Sequence, residues 1–108
     1  MQTPEIPQKK SPEQDIHERL YAVIDPELNL NIVDLGLIYS ISVSERIAKI
    51  EMTLTSPGCP IAHAMISAVE QVAGTAPDID HVEVILVWDP PWDIERIPPE
   101  IRRNMGFF

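Results

Sequence analysis

The chain has 108 residues, 44% of them hydrophobic and 23% charged, which suits one globular domain around a single two-layer core. A net charge of −9, with only eight scattered basic residues, argues against nucleic acid or an anionic membrane surface as partner, because phosphate contacts need clustered Lys and Arg. One cysteine excludes an intrachain disulfide and a zinc finger.

Residues 1–10 are polar and proline-containing and read as a flexible N-terminal tail ahead of a single domain over 11–108. The stretch "MQTPEIPQKK" lacks the apolar core of a signal peptide, and no apolar run approaches the ~20 residues of a membrane span. The expectation is a cytoplasmic protein. "SPEQDIHERLYAVI" opens a first helix, with Ser11 as N-cap, Pro12 at the first helical position and Gln14 placed to close a capping box. Ile16, Leu20, Val23 and Ile24 give it one apolar stripe, and Pro26 stops it.

"DPELNLNIVDLG" reads as a loop with an apolar underside. In "LIYSISVS" Leu37, Tyr39, Ile41 and Val43 share one face, and Ser40, Ser42 and Ser44 the other. "AKIEMTLT" repeats the pattern, with Ala48, Ile50, Met52 and Leu54 inward and Lys49, Glu51, Thr53 and Thr55 outward. A short polar turn at Glu45-Arg46 joins the two as an antiparallel hairpin.

"TSPGCPIAHAM" then leads into a second helix, with Pro60 at its first position and Cys59 as its cap. Ile61, Met65, Ala68, Val69 and Val72 form its stripe, and Gly74 is a natural C-terminal cap. "HVEVILVW" is a third strand with Val82, Val84, Leu86 and Trp88 on the core side. "DPPWDIERIPPE" breaks the chain before a short C-terminal helix, in which Ile97, Ile101 and Met105 align. The order helix-strand-strand-helix-strand predicts an α+β, two-layer domain with a three-stranded mixed sheet and a short C-terminal helix.

Among residues that could carry chemistry, Cys59 comes first. At a helix N-terminus a sulfur meets orphan backbone N–H groups and the positive end of the helix dipole, which favour thiolate over thiol. Gly58 leaves the backbone open to approach, and Pro57 and Pro60 remove competing N–H donors and stiffen the corner. Free cysteine is also among the most buried residue types, so a structural thiol and a reactive one stay open as alternatives. His63, four residues on, suits either a thiolate partner or an ordinary half-exposed helix residue. Asp25 and Glu27 read as solvated loop acids. Asp34 lies between apolar residues and needs a hydrogen-bonding partner. Trp92, locked behind Pro90-Pro91, reads as an exposed partner-binding indole or as packing for the tail. No phosphate-binding loop is present, and nothing supplies the third group and oxyanion hole of a thiol hydrolase.

Three blocks, "DPELNLNIVDLGLIY", "TSPGCPIAHAM" and "VWDPPWDIERI", resemble the signature segments of the SufT-like, MIP-type family of iron–sulfur cluster assembly domains, also seen in PaaD and at the N-terminus of Mrp-type carriers. The resemblance implies a non-enzymatic maturation factor that carries clusters to apoproteins or helps insert them. Its motif cysteine matches Cys59 and its motif acid Asp34, with Thr55, Pro57, Gly58, Pro60 and His63 in supporting positions. The implied partners are iron–sulfur assembly proteins and client apoproteins. A cluster takes four thiolate-type ligands, so one cysteine implies transient contact, or a cluster bridged between two chains of a homodimer. Two other readings remain: an interaction adaptor with a structural Cys59, and, more remotely, a thiol enzyme using Cys59 and His63.

Overall fold

The computed structural model describes residues 10–55 and 61–105, the last of these by its backbone alone. The expected tail up to residue 9 and the expected helix corner at Pro57 to Pro60 lie outside the described residues.

The first helix, α1 (Pro12–Arg19), begins as its sequence requires. Ser11 Oγ accepts from Gln14 N–H and Gln14 Oε1 accepts from Ser11 N–H, both at 3.1 Å. It gives way after Arg19 to a 3-10 turn over Leu20–Ala22. This loss of helical phase corrects the expected stripe. Ile16, Leu20 and Val23 are buried, but Ile24 is 49% exposed.

Ile24 instead enters a two-residue strand, β1 (Ile24–Asp25), which pairs antiparallel with β2 (Leu30–Asn31), a ribbon where the sequence predicts a loop. Asp25 is only 2% exposed, against the expectation of a solvated acid. Its Oδ1 accepts from the N–H groups of Glu27 (2.8 Å) and Leu28 (3.2 Å), so the turn it initiates solvates its carboxylate.

The main sheet follows: β3 (Ile38–Ser44), β4 (Ile47–Met52) and β5 (His81–Leu86), ordered β3-β4-β5. β3 and β4 are antiparallel, joined by Glu45 and Arg46, both at positive φ (52° and 66°). That is the geometry whose twist matches a tight hairpin. Arg46 also chelates Asp80 through Nε (2.8 Å) and Nη2 (3.1 Å) and accepts Asp80 N–H at its carbonyl (2.8 Å), which ties the turn to the start of β5. Hydrogen bonding from Arg46 holds the Asp80 carboxyl below its ordinary pKa. β4 and β5 are parallel, and α2 (Ala62–Gly74) makes the crossover between them.

Both helices pack on one face of the sheet. Ile16 of α1, Leu20 of the 3-10 turn after it, and Met65, Val69 and Ala73 of α2 meet Ala48, Ile50 and Met52 of β4, with Ile41, Val43, Val82, Val84 and Leu86 at the margins. Ser40, Ser42, Ser44, Lys49 and Glu83 are exposed on the other face. The two-layer α+β expectation holds, with its mixed three-stranded sheet and a short C-terminal helix, α3 (Pro99–Met105).

Three local expectations fail. A register shift between Ile38 and Ser40 puts Ile38 against the core and releases Tyr39 from it. α2 ends through Gly74 onto Thr75 in right-handed geometry, so no left-handed glycine cap forms. Thr53, expected outward, is fully buried beyond the end of β4, and among the described residues its Oγ1 has no hydrogen-bond partner. A buried hydroxyl left unbonded costs about 1–3 kcal/mol. Thr53→Val, nearly the same shape, is therefore expected to raise stability by about 1 kcal/mol, or about 4–8 °C in Tm. Calorimetry checks this, and an unchanged or lower Tm would refute it.

Candidate functional site

The C-terminal ends of the parallel strands β4 and β5 and the start of β3 share one end of the sheet, in keeping with the register Ile38↔Met52 and Met52↔Leu86. The described parts of all three signature blocks converge on that end. The first runs from Asp25 through the turn at 31–36 into β3. Within it Asn31 and Asp34 bind reciprocally: Asp34 N–H donates to Asn31 Oδ1, and Asn31 Nδ2 donates to Asp34 Oδ2, each at 2.8 Å. Asp34 is half-buried, and Asn31 is the partner its setting demanded.

The third block, residues 87–97, crosses the sheet end as a strap. Val87 N–H still bonds Met52 O (2.8 Å), and beyond it the Asp89–Pro90 peptide is cis. Trp92 Nε1 then donates to Leu35 O at 2.6 Å, and Tyr39 Oη donates to Pro90 O at 2.7 Å. The Arg96 guanidinium stacks 4.4 Å over the Tyr39 ring, and Ile97 is fully buried. Gly36, at φ +76°, admits the strap so closely that a Cβ there would lie 2.7 Å from Arg96 Cβ. The strap thus fixes the turn that bears Asp34.

The structure moves Trp88 from its expected place and decides between the two settings open to Trp92. Trp88, expected in the core, is 42% exposed, whereas Trp92 is half-buried against the core with its N–H committed to Leu35. An indole already bonded and packed is a fold residue before it is a docking residue. The exposed one at this end of the sheet is Trp88.

The second block lies on the connection between β4 and α2. Thr53 N–H donates to Leu37 O at 2.9 Å, which ties the start of this connection to the first block. Thr55 is half-buried. The described helix has Ile61 at its cap position, with no side-chain cap, two residues beyond the expected cap. Cys59 itself lies outside the described residues, with Pro57, Gly58 and Pro60. Ile61 lines an apolar groove with Val23, Ile24, Pro26, Met65 and Ala68, so the chain after the cysteine rejoins the "DPE" turn. His63 is exposed on the first turn of α2. Among the described residues no three His, Cys, Asp or Glu side chains cluster to hold a metal ion. No described helix is long and apolar enough to cross a membrane.

Residues 13–86 match the family model described as iron–sulfur cluster assembly protein. The chain belongs to this family. It is similar to the Fe–S protein maturation auxiliary factor SufT of Staphylococcus aureus, 48% identical over 71 residues, covering 65% of this chain and 81% of SufT. The auxiliary factor YitW of Bacillus subtilis is 38% identical over 94 residues, covering 86% of this chain and 92% of YitW. A crystal structure of a DUF59 domain from Bacillus anthracis superposes with a TM-score of 0.83 at 40% identity, over 90% of this chain and 93% of that one. The family match ends at Leu86, so the strap is additional to it, yet the Leu35, Gly36 and Tyr39 contacts attach it to the first block. Several residues that build this site gave little sequence signal. Asn31 and Gly36 were hidden in a loop with no period, and Arg96 in a charged tail. Asp25 did announce its turn through the Asp-Pro-Glu order.

Proposed function

We propose that this protein is a non-enzymatic maturation factor for iron–sulfur proteins, whose single cysteine contacts a cluster in transit to an apoprotein. The observation that carries the reading is convergence: the connection that bears Cys59 leaves β4 at the sheet end where the Asp34 turn and the strap are bonded together. The curated names of SufT and YitW as maturation auxiliary factors support the same role. Ligand arithmetic sets its limits. A cluster takes four thiolate-type ligands, and one chain supplies one, so retention requires donors from a second chain, an acceptor or a small thiol. A poor ligand set suits a carrier that must release its cargo. Asp34, pinned by Asn31, gives a fixed carboxylate on the adjoining turn, and the expected setting is the cytoplasm.

Anaerobic reconstitution with iron and sulfide in the presence of a small thiol tests this. Visible absorption at low stoichiometry is expected in the native protein and its loss in Cys59→Ala, with the far-ultraviolet circular dichroism of the two superimposable. A colourless native protein, or colour retained in Cys59→Ala, would overturn the reading.

The exposure of Trp88 favours a second, compatible reading as an adaptor of the assembly machinery, docking through the sheet end rather than through Trp92. Capture of assembly proteins would then survive Cys59→Ala and fail in Trp88→Ala.

A further inference from the structure

The sheet has two edges, and the fold treats them differently. Along β3, α1 lies against the edge and Glu13 Oε2 accepts the outward N–H of Val43 at 3.2 Å. Along β5 the edge is open among the described residues. Val87 N–H points to β4, where it bonds Met52 O, and the strand alternates, so Glu83 and Ile85 also direct their backbone groups to β4. Val82, Val84 and Leu86 direct theirs away from the sheet. Among the described residues no hydrogen bond reaches those outward N–H and C=O groups. The strap does not cover them, since it leaves the end of β5 toward Leu35 and Tyr39 on the β3 side. An open edge is a template for another strand, and natural proteins blunt it with lysine, proline or a bulge. "VEVILVW", residues 82–88, contains none of these and one charge, Glu83.

We propose that the β5 edge is a self-association surface, on which β5 of a second copy pairs antiparallel about a two-fold axis through Val84. The strand is its own complement in this register. Val84 meets Val84, and Val82 meets Leu86 of the second copy. Every outward residue therefore falls in a hydrogen-bonded pair, and the two sheets become one. Glu83 then faces the exposed Ile85 of the second copy rather than another carboxylate. Moving the axis to Glu83 or Ile85 leaves outward groups unpaired, and at Glu83 it sets like charges opposite each other. A net charge of −9 on each copy opposes association, so the pairing is weak at low salt and tightens as salt screens it. The inference does not rest on the cargo reading.

Sedimentation equilibrium and amide hydrogen exchange on the full chain, from about 10 µM to about 1 mM and at low and high salt, test it. A dimer fraction that rises with concentration and salt is expected. The amides of Val82, Val84 and Leu86 should slow about tenfold across that range, while Glu83, Ile85 and Val87 stay protected throughout. In a Cys59→Ser background, mild oxidation should cross-link a mixture of Glu83→Cys and Ile85→Cys chains, and neither variant alone, because only residues 83 and 85 are opposed. A monomer at the highest concentration overturns the proposal. So does a dimer whose three outward amides still exchange fast, or cross-linking of Glu83→Cys with itself. Protection that appears only on adding an extended client peptide would assign the edge to clients and overturn it too.

Discussion

Gly36→Ala is expected to destabilise the protein by about 2–4 kcal/mol, lowering Tm by more than 10 °C on the usual scaling for a domain of this size. Two penalties combine. At φ +76° an L side chain pays about 1–2 kcal/mol for left-handed geometry. The new Cβ would also lie 2.7 Å from Arg96 Cβ and 3.3 Å from Arg96 O, and neither is the far end of a side chain that can swing aside. The backbone of the strap must therefore move, and the Arg96–Tyr39 stacking and the Trp92–Leu35 bond move with it. Arg96→Gly removes one clashing atom but not the φ penalty. The double variant Gly36→Ala/Arg96→Gly should thus be less destabilised than the sum of the singles, a coupling expected for residues in contact. Urea unfolding of the four proteins checks this. A loss below about 0.5 kcal/mol for Gly36→Ala, or strict additivity, would show that the strap does not bear on Gly36.

What the sequence made legible and what it hid divide along the range of the interactions. The Ser11–Gln14 capping box, the serine-faced hairpin and the Met65–Val69 stripe are written in residues a few positions apart, and all three were found. The β1–β2 ribbon escaped because two residues cannot display a period, and its stability comes from what it sits on. Ile24 was misplaced because a 3-10 turn after Arg19 breaks the helical phase that the pattern assumed. Asp25 reads as a solvated loop acid of an acidic chain, whereas its own turn supplies two N–H groups that let it be buried. Trp88 escapes its expected place for the opposite reason, and Trp92 takes the packed one of its two open settings. Alternation along β5 puts Trp88 inward, but Val87 makes the last sheet bond, so Trp88 lies beyond the strand whose period placed it. Only tertiary contact with Leu35, 57 residues away, draws Trp92 in. For the site, the blocks were legible as separate words, and Asp34 as an acid needing a partner. Their joining at one sheet end was not, because it is made by backbone carbonyls at Leu35, Leu37 and Pro90, which carry no sequence identity.

The strap places the second large effect at Trp92. Trp92→Phe keeps an apolar ring against the core but leaves Leu35 O without its donor, an expected cost of about 1–2 kcal/mol. Trp92→Ala also removes the ring and opens a void beneath the strap, for about 3–4 kcal/mol in all. Trp88→Ala, at an exposed position, should stay within about 0.5 kcal/mol. The chain has only these two tryptophans, so each variant leaves the other as a single fluorophore. In Trp92→Phe the emission of Trp88 should lie near that of a solvated indole, and in Trp88→Ala the emission of Trp92 should be blue-shifted and quenched little by iodide. Equal destabilisation at the two sites would contradict the structure. Because Trp92 holds the turn that bears Asp34, its loss should also raise hydrogen exchange at Asp34 and Gly36 before global unfolding, while the β3–β4 hairpin keeps its protection. Loosening confined to the strap itself would mean that the first block is rigid without it, and that the convergence of the blocks is a matter of packing alone.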